Sequence, residues 1–209
     1  IFLGPAGSGK GTQAQYLKNQ YKYAHISTGD LLRSEVASNS NLGKQVASII
    51  NSGNLVSDDI MITLIKDKLS HLSKDSDCNG VVFDGFPRTK DQAIIFDELI
   101  NDFGFLPPKV IYFNLTLESS IDRISGRMID PRDNIVYHRV YNPPSEDVKP
   151  YLIVREDDSE EKVKHRFDVY QSLTLPLISY YNDRLSELDS LDSIDNINTF
   201  LDAFISKIE

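Results

Sequence analysis

The 209-residue chain has one cysteine, Cys78. A single thiol excludes an internal disulfide and any metal site built from several cysteines. It fits a reducing, cytoplasmic setting, and beside a turn signal Cys78 reads as structural rather than nucleophilic. No apolar run approaches the ~20 residues needed to cross a bilayer. No basic segment followed by an apolar one marks a secretory signal. The chain opens on Ile1-Phe2-Leu3, which has the pattern of a strand's last residues, so further native residues are expected upstream. Positive charge is also scarce: 22 Lys and Arg stand against 31 Asp and Glu, a net −9. That balance argues against a general nucleic-acid binder. With 40% apolar and 25% charged residues, the composition is that of one globular domain with small insertions. No repeat or low-complexity tract is present.

What the chain does have is arginine in particular places. Of nine arginines, six (Arg33, Arg88, Arg123, Arg127, Arg155 and Arg166) fall in the motifs below. A planar guanidinium matches phosphate oxygens bidentately, so an acidic chain that gathers arginines locally is suited to a compact anion.

Periodicity predicts strands alternating with helices. Strands are expected to end at Leu3 and to run over Tyr23 to Ile26, Val81 to Asp84, Val110 to Asn114 and Ser190 to Ile194. Helices are expected over Lys10 to Asn19, from an Asp30 cap through Val36, over Asn41 to Ile50, and from Ser57 or Asp58 through Leu69. Further helices are expected over Thr89 to Phe103, from Thr116 to Gly126, over Ser159 to Arg184 with a break near Pro176, and over Thr199 to Ile208. Residues 127 to 154 lose helical period, carry four prolines and are too long for an ordinary connection, so they form a small insertion. Such alternation implies a parallel sheet covered on both faces, with ligands at the carboxyl ends of the strands.

Gly4 to Lys10 fits G-x-x-x-x-G-K, followed by Gly11-Thr12. Glycines let consecutive N–H groups turn inward around an anion. The helix opening at Lys10 aims its positive end at the same point. Gly7, Ser8, Gly9, Lys10, Gly11 and Thr12 are therefore candidate triphosphate ligands. The shift of threonine by one place leaves its service to a magnesium-bound water open. In the second cluster, Val81-Val82-Phe83-Asp84-Gly85-Phe86-Pro87-Arg88-Thr89-Lys90-Asp91-Gln92, Asp84 ends a buried strand. It can hold magnesium waters or serve as a cap. Arg88 offers a fork for a second phosphate or a surface ion pair.

These two segments, with Ser27-Thr28-Gly29-Asp30-Leu31-Leu32-Arg33, Tyr137-His138, Asn142-Pro143-Pro144, Arg155 and Arg166, resemble the adenylate kinases in the same order along most of the chain. The resemblance implies an α/β fold: a parallel five-stranded sheet flanked by helices, with two small mobile insertions. The core would comprise 1–26, 57–126 and 159–209, with a monophosphate-binding flap at 27–56 and a lid at 127–158. It implies Mg-dependent transfer of a phosphoryl group from ATP to AMP, giving two ADP. Thr28 and Gln92 would read adenine, both being uncharged hydrogen-bonding side chains. Arg33 and Arg88 would clamp the monophosphate, Asn54, Leu55 and Val56 would close over it, and Gly85, Phe86 and Pro87 would line it, with Phe86-Pro87 cis. Arg123 and Arg127, with Val136 and Tyr137, would serve the donor, and Asn198 would stand near its base. Arg155 and Arg166 would bridge the transferring group. Lys10, Arg88, Arg127, Arg155 and Arg166 form the catalytic set.

Spacing by itself leaves some of this open. Arg123 and Arg127 at i, i+4 share a helix face, but an exposed arginine pair has the same spacing. Asp157 to Ser159 resembles a cap, so Arg155 precedes a helix and shares no face with Arg166. His25, His71 and His165 have no partner pattern. His138 either touches the donor site or serves the surface. Tyr180-Tyr181 reads as core. A GTP:AMP phosphotransferase and a UMP/CMP kinase of the same fold, and a non-catalytic nucleotide-sensing module, are the alternatives. No Asn-Lys-x-Asp segment supports a GTPase. The acidic balance favours a cytoplasmic monomer without nucleic-acid or membrane partners. Some adenylate kinases hold zinc in the lid through cysteines. Here Asp130, Asp133, Asp147 and Arg132 offer a polar network instead. Metal analysis of the purified protein should therefore find no stoichiometric zinc; a 1:1 zinc content would contradict this.

Overall fold

A computed structural model describes residues 1–72 and 77–208. Residues 73–76 and 209, part of the expected core segments 57–126 and 159–209, lie outside the described residues. The strands are β1 (Phe2–Leu3), β2 (Tyr23–Ser27), β3 (Gly80–Asp84), β4 (Val110–Asn114), β5 (Arg127–Ile129), β6 (Val136–His138) and β7 (Leu185–Asp189). The helices are α1 (Lys10–Tyr21), α2 (Thr28–Ala37), α3 (Asn41–Asn51), α4 (Asp58–Leu72), α5 (Lys90–Asp102), α6 (Leu117–Ser125), α7 (Glu160–Val169), α8 (Leu177–Tyr180) and α9 (Ile194–Ile205).

Five strands form one sheet in the order β2-β3-β1-β4-β7, and every pairing in it is parallel. Strands covered on both faces have no polar alternation, and β4 shows why. Val110 and Tyr112 point into one apolar cluster with Leu3, Phe83, Phe96, Leu177 and Tyr181. Ile111 and Phe113 point into the other with Phe2, Val82, Ala14, Leu17, Ile197 and Leu201. So α1 and α9 cover one face, while α4, α5 and α8 cover the other. Phe96 anchors the second face, its ring edge-on to Phe83 at 4.6 Å and to Phe86 at 5.4 Å. β5 and β6 pair antiparallel as a separate ribbon with Arg127 opposite His138, extended by a bridge from Ile129 to Ile153.

Four local expectations shift. Ser27, not Asp30, caps α2: its extended backbone lets Oγ accept from the Asp30 N–H at 3.2 Å, which leaves the Asp30 carboxylate for arginines. The last strand of the sheet lies at Leu185–Asp189, in register with β4 from Val110↔Leu185 to Asn114↔Asp189. Residues 190–193 turn, and Ser193 caps α9, which starts five residues before the expected Thr199. Gly126 closes α6, so Arg127 begins a strand and shares no helix face with Arg123. The long C-terminal helix is broken as its proline predicts. Pro176 has no N–H to continue the ladder, and the preceding turn widens so that Leu175 N–H reaches Tyr170 O at 2.9 Å. Tyr181 is fully buried, in the core as expected.

The helices α2 and α3 meet backbone to backbone at Gly43. A Cβ there would lie 2.0 Å from the Glu35 carbonyl oxygen. Alanine normally favours a helix over glycine by about 1 kcal/mol, but this neighbour is main chain and cannot swing away. Gly43→Ala should destabilise the protein by about 1–3 kcal/mol through overpacking, read as a lower thermal midpoint; an unchanged or raised midpoint would contradict the contact.

Candidate nucleotide site

The loop between β1 and α1 forms the floor of a cleft of about 1090 Å³. Gly7 and Gly9 hold φ of 79° and 93°, a region that side-chain-bearing residues avoid. Lys10 folds over the loop, its Nζ donating to Gly4 O at 2.9 Å and Pro5 O at 2.8 Å. Ser120 Oγ donates to Ala6 O at 2.6 Å and ties the loop to α6. Arg123 reaches from α6 to Gly7 O at 3.4 Å and Ser190 O at 2.6 Å, so it joins the loop to the turn after β7.

Asp84 ends β3 beside this loop. His25 Nε2 stands 3.7 Å from its carboxylate, a contact with no signature in the sequence because the two residues are on neighbouring strands. Burial raises the Asp84 pKa, but His25, Lys10 and Arg88 outweigh it and the carboxyl titrates below its ordinary value. An ionised, partly exposed carboxylate facing the phosphate loop suits magnesium, which binds through one or two carboxylates, waters and substrate phosphates. Among the described residues no group of three His, Cys, Asp or Glu is placed to hold a metal ion by itself. Beside the β5–β6 ribbon, Arg132 pairs with the buried Asp130 through Nε at 2.9 Å and lies over the Tyr151 ring at 3.7 Å.

Arg33, Arg127, Arg155 and Arg166 are held by acids. Asp30 accepts from Arg33 at 2.5 Å and from Arg155 at 3.2 Å. Asp158 accepts from Arg127 at two atoms, including Nε at 3.0 Å. Asp157 accepts from Arg166 at 2.6 Å. Arg88 is fixed by its own turn, with Nε donating to Gly85 O at 2.7 Å, while Thr174 Oγ1, carried by the widened helical turn, donates to Arg88 O at 2.9 Å. Asp30 and the Asp157-Asp158 pair carried only cap signals in the sequence; their partners are up to 125 positions away.

A smaller cavity of about 100 Å³ adjoins the cleft. It is lined by Thr28, Asn54, Leu55, Val56, Phe86 and Gln92, and it shares Arg33, Gly85, Arg88 and Arg166 with the cleft. Thr28 Oγ1 donates to Gly85 O at 2.9 Å. The Phe86-Pro87 peptide is cis. The cleft itself takes in Gly7 to Thr12, Asp84, Pro87, Arg123, Arg127, Val136, Tyr137 and Arg155. Asn198 lines neither cavity; the turn Ser190–Ile194 and Ile197 do. The displacement follows from the early start of α9. Tyr141 and His138 also line the cleft, their rings stacked at 4.4 Å.

A family model described as adenylate kinase matches residues 2–186. The chain belongs to the adenylate kinase family. The kinase is an ATP:AMP phosphotransferase, and the five-stranded parallel sheet expected from the sequence is present. No helix among the described residues is long and apolar enough to cross a membrane.

Lys10 carries a titration that can be measured. Burial pulls its pKa down from 10.5 to about 8, with Asp84 supporting the charge and Arg88, Arg127 and Arg166 repelling it. Between those values the unfolded chain holds a proton the folded one has released, so this group adds stability as pH rises from about 8 to 10.5 and costs most below it. For phosphate binding the sign is reversed, because only the ammonium form attracts an anion. kcat/KM for ATP should fall as pH passes about 8, and bound phosphate should move the corresponding limb of kcat upwards. A kcat/KM profile that stays flat to pH 9.5 would contradict a phosphate role for a Lys10 that titrates near 8.

Proposed function

We propose that the cleft takes MgATP and the smaller cavity takes AMP, with the phosphoryl group passing between them at Arg88 and Arg166. The observation that carries this reading is that both cavities share those two guanidinium groups. Gly7 to Thr12 would receive the donor phosphates, Arg123 and the Tyr137–Tyr141 segment its base. Thr28 and Gln92 would face adenine, and Arg33 and Arg88 the monophosphate.

In the forward step an AMP phosphate oxygen attacks the terminal phosphorus of ATP. A P–O bond forms there as the bond to the bridging β–γ oxygen breaks, and the electron pair leaves with ADP. The attacking oxygen is already ionised near neutral pH, so no general base is required. That agrees with a site whose side chains are chiefly cationic. Catalysis then rests on positioning and on neutralising charge in flight. Lys10, Arg88, Arg127, Arg155 and Arg166 supply the positive charge. Arg155 keeps it at neutral pH: burial, then repulsion from Arg33 and Arg127, lowers its pKa only to about 10. Magnesium bound with ATP neutralises phosphate charge and orients it; Asp84 and Thr12 are the residues that would hold its waters.

Residues 27–56 and 127–158 form the moving parts in this reading, which exclude water so that the donor is not hydrolysed. Lid closure in adenylate kinase is itself a standing example of such gating. Supporting contacts span the two segments: Asp30 to Arg155, and Asn51 Nδ2 to Glu156 Oε2 at 3.1 Å. His165 meets Asn54 at 2.8 Å from the core side. The protein is assigned as a cytoplasmic monomer that acts on free nucleotides, without nucleic-acid or membrane partners. ADP formation from ATP with AMP, CMP or UMP tests the assignment. AMP should be the preferred acceptor, and Arg88→Ala should lower kcat by about 10²–10³-fold. Strong CMP use without AMP use would overturn the acceptor, and undiminished turnover by Lys10→Met would overturn the role of the loop.

A further inference from the structure

Gln92 is 2% exposed and lines the smaller cavity. A side-chain amide is nearly symmetric in shape but opposite in chemistry at its two ends, so a half-turn exchanges an acceptor for a donor. In Gln92 each end is already engaged once. Oε1 accepts from the Arg88 N–H at 2.8 Å. Nε2 donates to Asp58 Oδ1 at 2.6 Å. A backbone N–H can only donate and an ionised carboxylate can only accept. The reversed amide would set oxygen against carboxylate and NH2 against N–H, which loses both bonds and leaves buried groups unpaired. Gln92 is also anchored at its own main chain, where its N–H donates to Thr89 Oγ1 at 3.2 Å. The partners arrive from different elements: Arg88 precedes α5, and Asp58 opens α4. Asp58 lines neither cavity, so it stands behind Gln92 as seen from the ligand.

We infer that Asp58 is a specificity-determining positioning residue, which locks the Gln92 amide one way round and so sets the order of donor and acceptor shown to the acceptor base. This rests on the reading of the smaller cavity as the AMP site. What remains free on the amide is one N–H of Nε2 and one lone pair of Oε1, in fixed order. Adenine offers an amino donor next to a ring-nitrogen acceptor and matches that order. Hypoxanthine and guanine offer a carbonyl acceptor next to a ring N–H and oppose it at both atoms. A site built to pair with one hydrogen-bonding pattern rejects the reverse because its own buried groups go unpaired. If the amide could turn, Gln92 would pair with either base, and Thr28 alone would remain to discriminate.

The experiment compares kcat/KM for AMP and for IMP, with ATP as donor, in the wild type and in Asp58→Asn, Asp58→Ala and Asp58→Glu. Asparagine can present either end of its own amide, and alanine presents nothing, so both remove the carboxylate half of the lock and leave only the Arg88 N–H to hold the amide. The IMP-to-AMP ratio should rise about tenfold in each, the scale set by losing a hydrogen bond to a charged group, with KM for ATP unchanged. Asp58→Glu keeps an acceptor-only partner and should hold the wild-type ratio. Loss of fold in one releasing variant leaves the other to decide. A wild-type ratio in the folded releasing variants overturns the lock, as does an Asp58→Glu enzyme as relaxed as Asp58→Asn. A wild type that phosphorylates CMP but neither purine monophosphate overturns the acceptor assignment, and the lock with it.

Discussion

Positive charge gathered in a low-dielectric cleft has to be balanced before any phosphate arrives. Lys10, Arg88, Arg155 and Arg166 are all partly buried, and desolvation lowers the pKa of all four. Unpaired, such charges carry a desolvation cost of several kcal/mol each. Asp30, Asp84, Asp157 and Asp158 meet that cost. Asp30, Asp157 and Asp158 each accept from at least one arginine, and Asp84 stands within the field of Lys10 and Arg88. The arrangement requires acids and cations from distant parts of the chain to converge, and the sheet exists in the right form to make them do so.

That form is a parallel sheet with its carboxyl ends on one side. β1 delivers the phosphate loop, β3 delivers Asp84 and the turn with Arg88, and β2 delivers Ser27 and the start of α2 with Arg33. Because β1 and β3 are adjacent in the sheet, Phe2 lies in register with Asp84, which sets the carboxylate beside the loop. The flanking helices then contribute only what their caps and breaks allow. Gly126 ends α6 one residue before Arg127. Pro176 forces a widened turn that carries Thr174 onto the Arg88 carbonyl.

Much of this was legible in the residues. The glycines of the phosphate loop need positive φ, and the loop is followed at once by a helix, so its shape and its ligand class were readable together. The run Val81 to Phe83 is apolar without alternation because both its faces are covered. The motif order identified the family. Legibility failed where a side chain's partner is remote. Ser27 and Asp30 both have cap chemistry, and only the backbone angle at Ser27 decides between them. The run Leu185 to Asp189 is half polar, since it pairs at the sheet's edge, and so it yielded to the neighbouring segment 190–194. Asn198 was displaced with it. His25 had no visible partner because its partner is on another strand.

The sequence by itself determined the phosphate loop, the alternation of strand and helix, and the supply of six motif arginines, because these depend on local backbone freedom, on periodicity and on composition. Only the tertiary structure decided which acid holds which arginine, that two cavities meet at Arg88 and Arg166, and which way the Gln92 amide faces. Those outcomes depend largely on residues far apart in the chain, such as Asp30 with Arg155, Arg127 with Asp158 and Asp58 with Gln92, and hydrogen bonds and ion pairs act only once folding has brought such residues within about 3 Å of one another.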